Sequence, residues 1–503
     1  MSPWKSLTVI LAASFALAVS AGAQAPSFLP PPGAPVQGGD LAVHGPDVAP
    51  IHAVTHHRVR IGGTDVAYTA TMAEAYVPAV AGGPPAGVMV NAAYVREGVA
   101  DPAHRPIIFL FNGGPGASSW MQFRGIGPRM FGEGVSPKME DNPDSLLDVA
   151  DLVFIDPVGT GLSRALPGHN VHEFWSSGSD AESVRAFIKA WLAESHREAS
   201  PRYVWGESYG TTRAAELAAF EDLHLNGVVL LSCVEGGLGE DLGAVTMFPS
   251  FAATAAYHGR APADGRTPQQ VFDDNIAFAR TRYAPALIAG SSLPPQERAA
   301  VADEMAKRLG LPVDLILQKN LRLSREDFML NLLTDRGLRT GQLDARKTGD
   351  LAYYGRRVVA YNDPGMDVVM GPPRGRYAQP DDAQRPHAIL PYLRDELGYP
   401  LATDANYIGL NFDLLFQFKH EREPPSAVSG VTRVMEKDAR LRLLVAGGFY
   451  DLTTPLYASA YAVNHSGGVR SRIDLEEFAA GHESYEGDVR VFTDAVRRFL
   501  AGK

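Results

Sequence analysis

A doubly wound α/β fold, built on a mostly parallel sheet with an inserted, mainly helical cap, is what this sequence predicts, and three observations predict it. Short apolar runs of buried-strand type recur at Ile107 to Phe111, Leu152 to Ile155, Tyr203 to Trp205, Val228 to Leu231 and Leu441 to Val445. Helical patterns alternate with them, as at Val184, Phe187, Ile188, Trp191 and Leu192. The segment 241–429 then breaks the rhythm, with helical patterns, many prolines and few strand-like runs, as an insertion into a finished core would.

Taken from the start of the chain, Lys5 precedes a mostly apolar, uncharged run from Leu7 to Val19, too short to span a bilayer. Small residues follow at Ala21, Ala23 and Ala25, so residues 1–25 read as an export signal cleaved after Ala23 or Ala25. The expected destination is the periplasm or the extracellular space. Residues 26–50, rich in Pro and Gly, read as an extended linker. The first part of the core, 51–240, opens with alternating segments His57 to Ile61 and Val66 to Thr71 around Gly62-Gly63, then Gly87 to Val95, which together predict an antiparallel meander. Ser179 with Glu182 forms a capping-box pattern at the start of the first long helix. The second part, 430–503, closes with a helix placing Phe492, Ala495, Val496 and Phe499 on one face.

The whole-chain balance narrows the function classes. At 503 residues, 45% of them hydrophobic and 20% charged, the chain can bury a large core and is not expected to be disordered. A formal charge of −11 makes nucleic acid a poor partner. No later apolar stretch is long enough for a membrane span, so no membrane association is expected. The single cysteine, Cys233, rules out an intramolecular disulfide and reads as a small buried residue at a strand end. No HExxH, paired CxxC or EF-hand loop occurs, and no metal or other cofactor is implied.

Chemistry concentrates in loops after the predicted strands. Gly206-Glu207-Ser208-Tyr209-Gly210 matches GxSxG between the strand Tyr203 to Trp205 and a helical run Thr212 to Phe220. Flanking glycines there permit the sharp turn that lifts a nucleophilic hydroxyl above the sheet, the arrangement of the α/β-hydrolase fold. A serine hydroxyl needs a histidine to take its proton and a carboxylate to hold that histidine's tautomer. In that fold both follow later, and Asp451, in Gly447-Gly448-Phe449-Tyr450-Asp451, and His482, after Ile473 to Phe478, fit the order. Asn112-Gly113-Gly114-Pro115-Gly116 follows Ile107 to Phe111, where a glycine-rich oxyanion loop belongs; the rival reading as a phosphate loop lacks its Lys-Ser/Thr ending. The amides of Gly114 and Tyr209 are the expected oxyanion donors.

In order, Asn112 to Ser119, Asp156 to Ser163, Gly206 to Gly210, Asp451 and Gly481-His482 resemble the motifs of the serine carboxypeptidase family of the α/β-hydrolase superfamily. The resemblance implies a triad of Ser208, Asp451 and His482, oxyanion donors Gly114 and Tyr209, and Asn112 and Glu207 as ligands of a substrate's terminal carboxylate. It also implies peptide substrates with a free C-terminus. Three departures stand out: Ala117 replaces the family's usual cysteine, Leu110 its usual Trp, and the disulfides of secreted eukaryotic members are impossible. A further acid usual after the loop is missing, for Trp120 to Pro128 offers Arg124 but no carboxylate. The predicted function is therefore an exported serine carboxypeptidase-like hydrolase that works through an acyl-enzyme. An esterase or acyltransferase with the same triad, and more remotely a catalytically retired binding protein, are the alternatives.

Overall fold

The protein is seen in a computed structural model that describes residues 45–119, 122, 125–132, 138–353, 363, 389–401, 407–421 and 426–502. The expected export signal, most of the expected linker, and Trp120 and Arg124 lie outside those residues.

Among the described residues, nine strands form the continuous path of the main sheet: β1 (His52–Ile61), β2 (Thr64–Pro78), β3 (Pro85–Arg96), β4 (Ile107–Phe111), β5 (Asp151–Asp156), β6 (Arg202–Glu207), β7 (Gly227–Leu231), β8 (Arg442–Gly448) and β9 (Ile473–Phe478). Their spatial order is β1-β2-β3-β5-β4-β6-β7-β8-β9, and the two-residue strand Arg164–Ala165 adds to β3. From β5 onward every pairing is parallel; β1, β2 and β3 form the antiparallel meander, and β3 joins it to β5. Gly62 and Gly63 turn between β1 and β2 with φ of +54° and +84°, the backbone a two-residue primed turn demands.

The central strands are apolar throughout because both faces are covered. In β4, Ile107, Phe109 and Phe111 pack on one side with Val184, Phe187 and Ile188, while Ile108 and Leu110 pack on the other with Phe492, Val496 and Phe499. Each such buried side chain contributes roughly 1.5–3 kcal/mol through the water it sheds. The first face is covered by α1 (Ser177–Glu194), α2 (Tyr209–Ala218) and a later helix, Ala427–Met435; the second by the C-terminal helix Val489–Leu500.

The predicted cap on α1 moves. Ser176 is the N-cap, accepting from the Ser179 amide at 3.3 Å, and Glu182 turns instead to Arg185 at 2.9 Å. Several neighbouring hydroxyls compete for the first turn, and the earliest wins because it lets Ser177 and Gly178 join the helix.

Between β7 and β8 lie α3 (Gly239–Tyr257), α4 (Pro268–Phe278), further helices including Pro295–Leu309 and Arg325–Asn331, and a short hairpin, Leu338–Thr340 with Thr348–Asp350. Phe248, Phe251, Phe272, Met305 and Phe328 form an apolar cluster that also takes in Phe449 and Tyr450, the residues leading to Asp451. Farther along, Ile389, Tyr392 and Leu393 pack into the core cluster of the second sheet face. Among the described residues no helix is long and apolar enough to cross a membrane.

Candidate active site

Ser208 sits where β6 gives way to α2, with φ +57° and ψ −128°. A non-glycine residue held there stores on the order of 1–3 kcal/mol of strain, and the surroundings enforce it. The Ser208 amide donates to the Leu231 carbonyl of β7 at 3.0 Å. A side chain on Gly206 would collide with the Gly210 carbonyl, and one on Gly210 would stand 2.9 Å from the Asn112 carbonyl. The GxSxG glycines are thus required by close backbone approach. Helix α2 begins immediately after the serine, three residues before the predicted run, so its first amide, on Tyr209, has no partner within the helix.

The loop after β4 lies against this elbow. A Cβ on Gly113 would come 2.6 Å from the Tyr209 nitrogen and 2.8 Å from the Ser208 Cβ, so only glycine fits. Gly114 and Gly116 have φ of +100° and +105°, a region open to glycine at no steric penalty. Gly114, Ser208 and Tyr209 share the wall of one cavity, together with Thr453 and Thr454. Asn112 is 3% exposed; its Oδ1 accepts from the Gly113 amide at 2.7 Å, while its Nδ2 has no acceptor among the described residues.

The loops after β8 and β9 bring Asp451 and His482 together. His482 Nδ1 stands 2.7 Å from Asp451 Oδ2, with Asp451 fully buried and His482 6% exposed. Asp451 also accepts from the amides of Thr453 at 2.7 Å and Thr454 at 3.0 Å and from the Thr454 hydroxyl at 2.6 Å, which fixes both its oxygens. Burial pushes the imidazole's pKa down, but the charge and hydrogen bond of Asp451, helped by Glu207 and Glu483, outweigh it and raise the value to about 9. A side chain on Gly448 would collide with the carbonyls of Ala480 and Gly481, so the acid and histidine loops touch through glycine.

Glu207 is 1% exposed and takes the Tyr485 hydroxyl at 3.2 Å on Oε2. The structure therefore gathers all seven residues singled out in the sequence into one neighbourhood.

Other residues in this neighbourhood carried no usable signal in the sequence. The His482 amide donates to the Leu343 carbonyl at 2.7 Å, its carbonyl accepts from Ser232 Oγ at 2.5 Å, and the Leu452 amide donates to the Gln342 carbonyl at 2.9 Å. Arg213, 2% exposed, joins the Asn112 carbonyl at 2.8 Å to Asp180 at 2.8 Å, and Asp180 also accepts from the Tyr209 hydroxyl at 3.1 Å. Asp156, from the second motif, accepts from the Ser119 amide and hydroxyl at 2.8 and 2.7 Å and from Tyr407 at 3.0 Å, bracing the glycine-rich loop. Burial pushes its pKa up, partly offset by these donors. Among the described residues no cluster of His, Cys, Asp or Glu could hold a metal ion.

Residues 94–219, which hold the glycine-rich loop, β5 and the Ser208 elbow, match the sequence model of the serine carboxypeptidase family. That stretch, about a quarter of the chain, is similar in sequence to the serine carboxypeptidase family. A serine carboxypeptidase 1 of Hordeum vulgare is 34% identical over 125 residues, 23% of this chain and 24% of that protein. A carboxypeptidase Y homolog A of Trichophyton verrucosum is 29% identical over 170 residues, 32% of this chain and 29% of its own length. The chain thus spans less than a third of the length of these curated relatives. The crystal structure of a prohormone-processing carboxypeptidase from Saccharomyces cerevisiae superposes with a TM-score of 0.52 at 12% identity, covering 86% of this chain and 91% of that one. That likeness is one of fold, the α/β-hydrolase fold, and it extends well beyond the stretch matched in sequence.

Proposed function

We propose that the protein is an exported serine carboxypeptidase that releases C-terminal residues from peptides through an acyl-enzyme. Ser208 Oγ attacks the scissile carbonyl while His482 takes its proton, and Asp451 holds the imidazole in the tautomer that receives it. The negative charge then formed on the carbonyl oxygen is met by the amides of Gly114 and Tyr209, donors of a kind worth about 3 kcal/mol each. His482 returns the proton to the departing amine, and water repeats the sequence to free the acyl group.

The observation that carries the exopeptidase reading is the buried Asn112 amide, whose Nδ2 has no acceptor among the described residues, on the loop packed against the Glu207–Ser208 turn. Burying an amide donor unpaired costs roughly 1–3 kcal/mol, and a terminal carboxylate would satisfy it. Glu207, in the same neighbourhood, would share a proton with that carboxylate. Matched peptides ending in a free acid or an amide, alongside simple esters, test the reading: preference for the free acid supports it, and preference for ester or amide shifts the protein to esterase or acyl-transfer chemistry. Covalent labelling of Ser208 by a fluorophosphonate separates both from a retired scaffold. Export is proposed from the apolar run Leu7 to Val19 and the small residues after it.

A further inference from the structure

The cavity beside Ser208 has a volume of about 480 Å³. It touches the nucleophile and the two oxyanion glycine-loop and helix residues, Gly114 and Tyr209, but Asn112, Glu207 and Tyr485 do not line it. If those residues hold the leaving residue's carboxylate, as proposed above, the cavity lies on the acyl side of the scissile bond. It would then take the side chain of the penultimate residue.

Its wall is largely apolar, with Val234, Leu238, Met247, Pro455 and Ala458, and among the described residues it contains one carboxylate, Glu235, one histidine, His420, and no Lys or Arg. Three other acids of this chain that are buried carry an arginine partner. Asp151 is held by Arg105 at 2.8 Å and Arg197 at 2.7 Å, Asp180 by Arg213 at 2.8 Å, and Glu74 by Arg164 at 2.6 Å. Glu235 has no such partner: Oε1 accepts a long bond from the Val428 amide at 3.4 Å, and the buried Oε2 accepts none. Burial raises its pKa to about 7, with Ser426 and the Val428 amide pulling the other way. A carboxylate left without a cation in an apolar wall destabilises the fold, which is tolerated where a ligand brings the missing charge.

We propose that Glu235 is a specificity-determining residue that selects a basic side chain, Lys or Arg, on the acyl side of the scissile bond. The proposal rests on the orientation of substrate given above. Its test uses two substrate series: peptides with a constant free C-terminal residue and Arg, Lys, norleucine or Glu before it, and N-blocked esters of the same four residues, whose acyl part would enter the same cavity. Wild-type enzyme, with active sites counted by fluorophosphonate labelling, is expected to favour Arg or Lys over norleucine by about tenfold or more in kcat/KM. In Glu235→Gln that ratio falls by a similar factor, and in Glu235→Lys preference turns toward Glu. If Glu235→Gln yields no labelled enzyme, Glu235→Asp, which keeps the charge but shortens its reach, is expected to lower the ratio severalfold. A wild-type ratio near one, or a ratio that survives these substitutions, overturns the proposal. Basic preference in the esters with no turnover of the peptides upholds the role of Glu235 and overturns the exopeptidase reading instead.

Discussion

The amide of His482 donates to the carbonyl of Leu343 at 2.7 Å, so the loop that carries the imidazole hangs on the inserted segment between β7 and β8. The contact is reinforced where a Cβ on Gly481 would stand 2.6 Å from Asp344 Cβ and 2.7 Å from the Leu343 carbonyl. Gly481→Ala is therefore expected to push the histidine loop off its support. A displacement of an ångström at a reacting group can lose about a hundredfold in rate. The variant should fold, keep KM within a few-fold and lose kcat; steady-state kinetics on any turned-over ester checks this, and unchanged kcat would show that the support is dispensable.

Removal of the nucleophile or the base should abolish turnover while leaving the fold intact. For Ser208→Ala and His482→Ala a fall in kcat of about 10⁶ is expected, since members of such a unit act together. Asp451→Asn should lose roughly 10⁴, because the amide holds the imidazole in the wrong tautomer. Circular dichroism and rates measured together separate lost chemistry from lost folding. Fluorophosphonate labelling of a different serine would move the site.

The Arg213–Asp180 pair offers a stability test. Both side chains are buried, so Arg213→Ala leaves Asp180 charged without its partner and should destabilise the protein by about 3–5 kcal/mol. Because Arg213 also holds the Asn112 carbonyl, the free-acid substrates should lose more in KM than the esters do. Equal loss for both would confine Arg213 to a structural role.

Much of this was legible in the sequence, for reasons that also explain what was not. Continuous apolar runs such as Ile107 to Phe111 announce strands covered on both faces, and glycines at 206, 210, 113 and 114 announce close backbone approach, so the core and the loops at its strand ends could be read directly. Tertiary bonds from backbone groups leave no such mark. Nothing about Leu343 distinguishes the residue whose carbonyl holds His482, and Ser232 is one hydroxyl among many. Tyr485 and Arg213 reach Glu207 and Asn112 only once the chain has folded. The start of α1 went to Ser176 because local hydroxyls compete on nearly equal terms, a choice that depends on the incoming backbone.

The raised pKa of His482 sets a direction for pH dependence. The group is charged below about 9 in the folded protein, and a proton-accepting imidazole must be neutral. Hydrolysis of esters and amides should thus rise with pH toward that value. The same shift, upward from an unfolded value of 6.5, means that the His482–Asp451 pairing stabilises the fold fully below pH 6.5 and loses that contribution as pH climbs through about 9. Free-acid peptides should depart from the ester profile by weakening in KM at high pH, where Glu207 and the substrate carboxylate can no longer share a proton. Glu207→Gln should draw the two profiles together. Coincident profiles in the wild type would remove Glu207 from carboxylate binding.

Export predicts its own mass. Intact-mass measurement of the protein recovered outside the cytoplasm should place the N-terminus after Ala23 or Ala25, and activity should survive thiol reductant because Cys233 is the single cysteine. Retention of Met1 on the recovered protein contradicts cleavage.

The most direct test of the central claim is the ratio of kcat/KM for one peptide as its free acid and as its C-terminal amide, measured at acidic pH in the wild type and in Asn112→Ala. The account predicts that the free acid is preferred by about a hundredfold or more and that Asn112→Ala reduces this preference severalfold or more, since a hydrogen bond to a charged group is worth roughly 1.5–3 kcal/mol. Equal turnover of acid and amide by the wild type, or a preference untouched by Asn112→Ala, would contradict it.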